Sequence, residues 1–301
     1  MCKKEIMGLT LEELQEELGG LGMKKFRAEQ VFRWLYEKAA TDFAQMSNLS
    51  KEARQQLADQ YTIATAQVKV LKEYRSQDGL THKVLLGLTD GATVETVLMH
   101  HDYGYSVCLS SQVGCAMNCA FCASGLHGFV RNLTAAEILA QLYFFQSRLQ
   151  PQGERVSRGV VMGSGEPMLN LDNVLKALDI LHSDRGQCIG YRNMTVSTCG
   201  VVPGIEELTA QGRNINLAIS LHGASQELRN RLMPINRKYP YPEVIQAADA
   251  YEKSNGRQVM YEYILLDGIN DRPEDARRLA DALEHRECVI NLIPANPVPE
   301  K

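Results

Sequence analysis

The chain has 301 residues, 45% hydrophobic and 23% charged, and a formal net charge of −4. This suits an ordinary globular protein with a full core and room for a small second domain, and it excludes a surface coated in positive charge, though not a local basic patch. No apolar run nears the length that spans a bilayer, the start Met1-Cys2-Lys3-Lys4-Glu5 lacks a secretory signal, and Cys2, Cys108, Cys188, Cys199 and Cys288 are too scattered for a disulfide framework, so a cytoplasmic protein with no membrane partner is expected.

The first sixty residues read as helices. Thr10 is an N-cap with Glu13 three residues on, the pattern of a capping box, and Gly19 to Gly22 end that helix. A second runs from Arg27 to Lys38 with Val31, Phe32, Trp34 and Leu35 as its apolar stripe, and a third from Asn48 to Gln60. Lys24, Lys25, Arg27 and Arg33 form the best local basic cluster; taken alone it reads as a solvated helix face. From Ile63 to His100 the period becomes two, in runs at 66–70, 81–86 and 93–98, and Asp78-Gly79 and Asp90-Gly91 between them are hairpin turns. Residues 1–100 are therefore expected to form an accessory domain of helices and a β-meander.

After residue 104 strand, loop and helix alternate. Strands are expected at 105–110, 159–162, 194–197, 215–220, 259–265 and 289–294. The first helix is capped by Thr134 with Glu137, and Leu133 with Ile138 forms its hydrophobic staple. Apolar strands alternating with amphipathic helices predict an α/β fold, a partial (β/α)6 barrel over 101–301, with chemistry past the C-terminal strand ends. The unusual residues fall there. Cys115-x-x-x-Cys119-x-x-Cys122 follows the first strand, Gly163-Ser164-Gly165-Glu166-Pro167 the second, Ser197-Thr198-Cys199-Gly200 the third, Ser220-Leu221-His222 the fourth and Pro294-Ala295-Asn296-Pro297 the sixth.

Three thiolates within one short loop suit a soft metal centre. A closed zinc site takes four ligands, whereas three on a cubane iron–sulfur cluster leave one iron open. Zinc remains the alternative on spacing alone. Gly163 and Gly165 let a ligand approach the backbone, Glu166 is an acceptor for an ammonium, and Ser197, Ser220 and Asn296 can bond ribose, carboxylate or adenine edges. His222 alone reads as a hydrogen-bonding residue at the barrel mouth.

The three-cysteine spacing, with Phe121 before the last cysteine, resembles the radical S-adenosylmethionine (SAM) superfamily. Cys108-Leu-Ser-Ser-Gln-Val-Gly-Cys115, Arg131-Asn132-Leu133-Thr134, Gly165-Glu166-Pro167, Ser220-Leu221-His222, the run Leu232 to Pro240 and Asn291-Leu292-Ile293-Pro294 narrow this to a resemblance with the radical-SAM adenine-C2 RNA methyltransferases over nearly the whole chain. Pro167, where the adenine-C8 sister group carries alanine, favours C2. The resemblance implies that Cys115, Cys119 and Cys122 hold a 4Fe–4S cluster, and that Gly165, Glu166, Ser197, Ser220, Leu221, His222 and Asn296 contact SAM. It implies 23S ribosomal RNA as substrate, in many bacteria transfer RNA too, and flavodoxin or ferredoxin as electron donor. In that family a cysteine near the C-terminus is methylated by one SAM, a radical from a second SAM activates the methyl group for addition to C2, and a second cysteine resolves the crosslink through a disulfide. Cys108 matches the resolving cysteine and Glu95 the proton acceptor; by its own pattern Glu95 is only an outward-facing strand residue. The accessory domain then reads as an RNA-binding appendage.

The sequence departs from the family after Asn296, where a further helix and an Ala-Cys-Gly tail with the methyl-carrying cysteine would follow. The expectation is a piece of a longer enzyme; a natural short form is the alternative. Either would bind or cleave SAM without completing methyl transfer, and the sixth strand would have a bare flank. A non-catalytic, metal-stabilised RNA-binding protein is the alternative from another class. Cys199, where the family has serine, reads as a small buried residue.

Overall fold

The computed structural model describes residues 3–296 and 298; expectations resting on Cys2, Pro297, Glu300 and Lys301 lie outside these. The chain divides into two compact units.

The first unit holds the segments up to Ser111, Asn132–Gly163 and Asp172–Met194. Its helices include Leu11–Gly19, Lys25–Tyr36 and Lys51–Gln60, as expected within a few residues. The Thr10 capping box forms: the Thr10 hydroxyl accepts from Glu13 N–H at 3.3 Å, and the Glu13 carboxylate accepts from Thr10 N–H at 2.8 Å. The meander follows as Lys69–Arg75, Thr81–Gly87 and Thr93–His101, antiparallel throughout, and continues antiparallel into Gly104–Cys108, which pairs in parallel with Val156–Val161. One expectation shifts here. Residues 64–67 form a helical turn, not strand, because Ile63, Ala64 and Thr65 are buried in succession, and a strand would turn every second side chain outward.

One face of this sheet is core. Val84, Leu86, Val94, Thr96 and Val107 are all buried, and His82 meets Phe145 of the helix Ala135–Leu149 at 5.5 Å. That helix starts with the expected Thr134–Glu137 box and buries the Leu133 and Ile138 staple completely. Its Tyr143 hydroxyl donates to Tyr36 C=O at 2.8 Å, and the Tyr36 hydroxyl accepts from Gly8 N–H at 2.8 Å. Gly8 must be glycine: its φ is +80°, and a Cβ would lie 2.6 Å from Ala136 N.

The second unit holds Gln112–Arg131, Ser164–Leu171 and the chain from Thr195 onward. Four parallel strands stand in the order Met194–Thr198, Asn216–Ser220, Met260–Leu265 and Val289–Pro294. Helices Val202–Ala210, Gln226–Leu232, Tyr241–Asn255 and Pro273–Ala282 separate them, so the predicted alternation of strand and helix is present. Val289, Ile290 and Leu292 of the last strand are exposed. No helix among the described residues is long and apolar enough to cross a membrane.

Candidate functional site

The cysteine loop grows from a two-stranded ribbon, Gln112–Gly114 with Phe129–Asn132. At its base the Cys115 N–H donates to Gly128 C=O at 3.0 Å. Gly114, at φ +71°, comes so close to Gly128 that a Cβ would lie 1.9 Å from the Gly128 oxygen. Asn118 takes the left-handed conformation (φ +48°) that lets the chain double back between Cys115 and Cys119, and Cys122 N–H donates to Cys119 C=O at 3.2 Å. The tip is fastened elsewhere in the unit: Ala120 N–H donates to Leu232 C=O at 2.8 Å, and the Ser124 and Ser164 hydroxyls are 3.1 Å apart. Cys115, Cys119 and Cys122 are thus held on one loop, each partly exposed. Burial, then the charges of Cys122, Cys115 and Glu166, pushes the Cys119 thiol up to about 12, while Arg229 works the other way. Cys115 is raised by burial and by Glu166 and Cys122, against an opposing bond from Met117 N–H. Among the described residues no three His, Cys, Asp or Glu side chains surround a single metal-ion position.

The glycine-rich segment lies beside this loop. Gly165, at φ +106°, has no room for a Cβ, which would lie 2.5 Å from Gln112 Cβ. Gln112 in turn accepts from Glu166 N–H at 2.9 Å. The Glu166 carboxylate is buried; Oε1 accepts from Met168 N–H at 3.1 Å and Oε2 from Cys199 N–H at 2.8 Å. Burial raises its pKa, and the hydrogen bonds from Cys199, Thr198 and Met168 oppose that. Much of its capacity to accept is therefore spent inside the protein, tying the glycine-rich segment to the Cys199 turn. Cys199 is buried, as expected of a small packing residue.

Ser197 and Ser220 sit on adjacent parallel strands with hydroxyls 3.5 Å apart, and both are partly exposed. Leu221 is fully buried. His222 is buried at φ +57°; its backbone N–H donates to Glu262 C=O at 3.1 Å, and its Nδ1 accepts from Ile264 N–H at 3.0 Å. Burial, then Arg229, drives the ring's pKa down to about 3, so it is neutral at pH 7, and its one proton is assigned to Nε2 because Nδ1 accepts. Its ring meets Phe121 edge-on at 4.7 Å, so the aromatic before the last cysteine packs on the Ser-Leu-His turn. Asn296 lies past the last strand and is exposed.

The keystone of this network is Arg229, which the sequence reading missed. It is completely buried on the helix Gln226–Leu232, and all its hydrogen-bond partners are neutral. Nε donates to Leu221 C=O at 3.1 Å, one terminal nitrogen to Asn236 Oδ1 at 2.7 Å, and the other to Cys199 C=O at 2.7 Å and Ser220 C=O at 3.4 Å. One guanidinium thus clamps the ends of two neighbouring strands. Burial lowers its pKa only to about 10, so it stays charged at neutral pH. Asn236, fully buried within the Met-Pro-Ile-Asn run, owes its place to this arginine. Glu262 and Asn270 were also missed. Glu262 is buried opposite Ser220 in the ladder and accepts from Asn291 Nδ2 at 2.8 Å. Asn270 donates to the His222 and Ile264 carbonyls at 2.9 and 2.7 Å. The signal for Arg229 was its helical spacing, one turn before Leu232 and four residues after the Ser225 N-cap.

Glu95 and Cys108 belong to the first unit. Cys108 pairs with Val97 across the ladder, on the sheet face that Glu95 shares. Burial, then the Glu95 carboxylate, pushes the Cys108 thiol up to about 11. Glu95 is exposed, as its pattern predicted, and its carboxylate lies 3.1 Å from Lys83 Nζ.

A donor set of three thiols on one braced loop, beside the partly exposed hydroxyls of Ser197 and Ser220, fits a three-thiolate iron–sulfur cluster and a small polar ligand. The comparisons agree. Residues 4–63 match the family described as ribosomal RNA large subunit methyltransferase N-terminal domain, and residues 109–280 match the radical SAM superfamily. A probable dual-specificity RNA methyltransferase RlmN of Symbiobacterium thermophilum is 48% identical over 299 residues, covering 99% of this chain and 80% of the relative. The protein of that name from Bacillus subtilis is 47% identical, covering 99% and 82%. The crystal structure of a radical SAM methyltransferase from Sphaerobacter thermophilus superposes with a TM-score of 0.94 at 40% identity, over 98% of this chain and 86% of that one. The expected α/β radical-SAM fold is therefore the fold of this protein, and a 4Fe–4S cluster and SAM are its cofactors. With relatives this similar along nearly its whole length, the chain belongs to the radical-SAM family of RlmN-type RNA methyltransferases.

Proposed function

We propose that this enzyme methylates C2 of an adenosine in 23S ribosomal RNA and in transfer RNA, as the names of its relatives suggest, with flavodoxin or ferredoxin as electron donor. Adenine C2 is an aromatic C–H carbon without nucleophilic character, and the cluster with SAM, when bound, supplies the radical chemistry it requires. Cys115, Cys119 and Cys122 are the residues that would hold the cluster. Burial raises the pKa of Cys115 and Cys119, so loading must displace protons there and should be faster at higher pH. Gly165 and Glu166 would hold the methionine end of SAM, and Ser197, Ser220, Leu221, His222 and Asn296 its ribose and adenine. His222, neutral, offers an Nε2–H donor that does not change with pH near neutrality. Glu95 would accept the proton released from C2, with Lys83 orienting its carboxylate. Cys108, a protonated thiol at rest, would resolve the crosslink.

The observation that carries this reading is the braced three-cysteine loop in a chain nearly half identical to its relatives along nearly all of its own length. It is tested by anaerobic incubation with SAM, a low-potential reductant and RNA, with nucleosides analysed by mass spectrometry. 5′-Deoxyadenosine and 2-methyladenosine are the products expected of the proposed activity. Finding 8-methyladenosine would overturn the C2 assignment, and SAM cleavage without any methyladenosine would overturn the methyl-transfer reading. A colourless, zinc-loaded protein would overturn the reading altogether.

A further inference from the structure

The ladder of the first unit places a set of residues on one open sheet face. Cys108 stands opposite Val97, Val97 opposite Lys83, and Lys83 opposite Tyr74; Glu95 stands opposite Leu85, and Leu85 opposite Lys72; Lys69 stands opposite Gly87. Residues facing each other across a ladder share a face, as do residues two apart along a strand. Cys108, Glu95, Lys83, Lys72, Tyr74 and Lys69 therefore lie on one surface, from the reactive pair out to the Lys69–Arg75 strand. On the inner strands the opposite face is the buried core, with Val84, Leu86, Val94, Thr96 and Val107.

This face has the chemistry of a single-stranded RNA platform. Tyr74 is 47% exposed, and two ammonium groups lie over its ring, Lys72 at 4.9 Å and Lys83 at 5.4 Å from the centroid. Its three lysines face one carboxylate, Glu95, which already pairs with Lys83, so Lys69 and Lys72 keep a surplus of positive charge. The whole Lys69–Arg75 strand is exposed. An exposed ring flanked by ammonium groups offers a base a stacking surface and the adjoining phosphates their counterions. The helix cluster expected from the sequence is weaker: Arg33 is paired with Glu29 and Glu37, and Arg27 with Gln30 and Asn48 C=O.

We infer that the outer face of the meander binds the RNA strand flanking the target adenosine, with Tyr74 stacking on a base and Lys72 and Lys69 neutralising phosphates, so that the target nucleotide is delivered toward Cys108 and Glu95. This rests on the RNA reading above and adds to it a surface and a register.

The test is anisotropy titration of the cluster-loaded full chain with a fluorescent hairpin RNA carrying an adenosine in its loop, across a series of salt concentrations. Tyr74→Ala should weaken binding roughly 5- to 150-fold, the range for loss of one stacked base. Lys72→Gln should reduce the slope of log affinity against log salt by about 0.7, the value for one phosphate contact on a single strand. Both side chains are exposed, so iron content and the thermal transition should match the wild type and certify the fold. Unchanged affinity and slope in both variants, with the wild type binding, would overturn this surface alone. A wild-type protein that does not bind the hairpin would overturn the RNA reading and the surface with it.

Discussion

The buried network of the second unit and the open sheet face of the first solve opposite problems. Around Arg229 each polar atom has a fixed partner inside the protein, and the groups tied together come from residues 199, 220, 221 and 236. On the meander face the backbone ladder supplies the rigidity, and the side chains are left to solvent. A small ligand needs the first arrangement, because its site must be set before it arrives. A long, flexible polyanion needs the second, because its binding is spread over many weak contacts. The comparison predicts that substitutions in the network damage cofactor and fold together, whereas those on the face alter recognition alone.

The sharpest break is at the cysteines. Cys119→Ala removes one of three thiolates, and iron bound after anaerobic reconstitution should fall to near background, with the brown absorbance lost. Retention of most of the iron would show that the loop is not the cluster site.

Next in size is Arg229→Met, close in length but without donors. It leaves the carbonyls of Cys199, Ser220 and Leu221 and the Asn236 amide oxygen without their present partner. At roughly 1–3 kcal/mol for each buried group left unbonded, partly relieved by relaxation, a loss of about 4 kcal/mol is expected. Thermal unfolding should then come about 10 °C lower. Arg229→Lys keeps the charge but can reach fewer carbonyls and should fall between. If the Met variant melts with the wild type, the clamp is not structural.

His222 tests the same network through pH. Its folded pKa lies near 3 and its unfolded value near 6.5. Between these the unfolded chain binds a proton that the folded chain refuses, so stability falls as pH drops through that window and is unaffected above it. The full span amounts to about 5 kcal/mol. His222→Asn tolerates the left-handed backbone and keeps an acceptor for Ile264 N–H. The difference in stability between wild type and variant, measured by urea unfolding at pH 7 and pH 4, should shrink toward acid. A constant difference would mean that the ring is not buried in its neutral form.

The two regions also differ in how plainly the sequence announces them. Capping boxes at Thr10 and Thr134, the turns at Asp78-Gly79 and Asp90-Gly91, and the cysteine triad are all fixed within a few residues, so local pattern suffices. Arg229, Gln112 and Glu262 matter through partners 30, 54 and 29 residues away, which no local period encodes. Gly165 illustrates the limit: its type suggested room for a ligand, and the structure adds a demand from the protein itself, the side chain of Gln112. The register of the meander face is recoverable only in part: the hairpin turns place Lys72 and Lys83 with Tyr74, whereas Lys69 joins them through a bulge between Val70 and Lys72 that no local period encodes. The distinction between that face and the helix cluster turns on which charges are already paired.

The smallest expected effect concerns that cluster. Glu29, Arg33 and Glu37 follow one another at intervals of four, so the Arg33 guanidinium lies 3.8 Å from one carboxylate and 3.3 Å from the other. An arginine between two carboxylates has little positive potential left for a phosphate, and exposed pairs of this kind contribute about 0.5 kcal/mol each to the helix. Arg33→Gln should therefore change hairpin RNA affinity by less than about twofold and leave the salt slope unaltered, in the same titration that reads Tyr74→Ala. A loss at Arg33 as large as that at Tyr74 would move the RNA contact from the meander face to the helix, and would mean that the bound strand draws Glu29 and Glu37 away from the arginine they flank in the free protein.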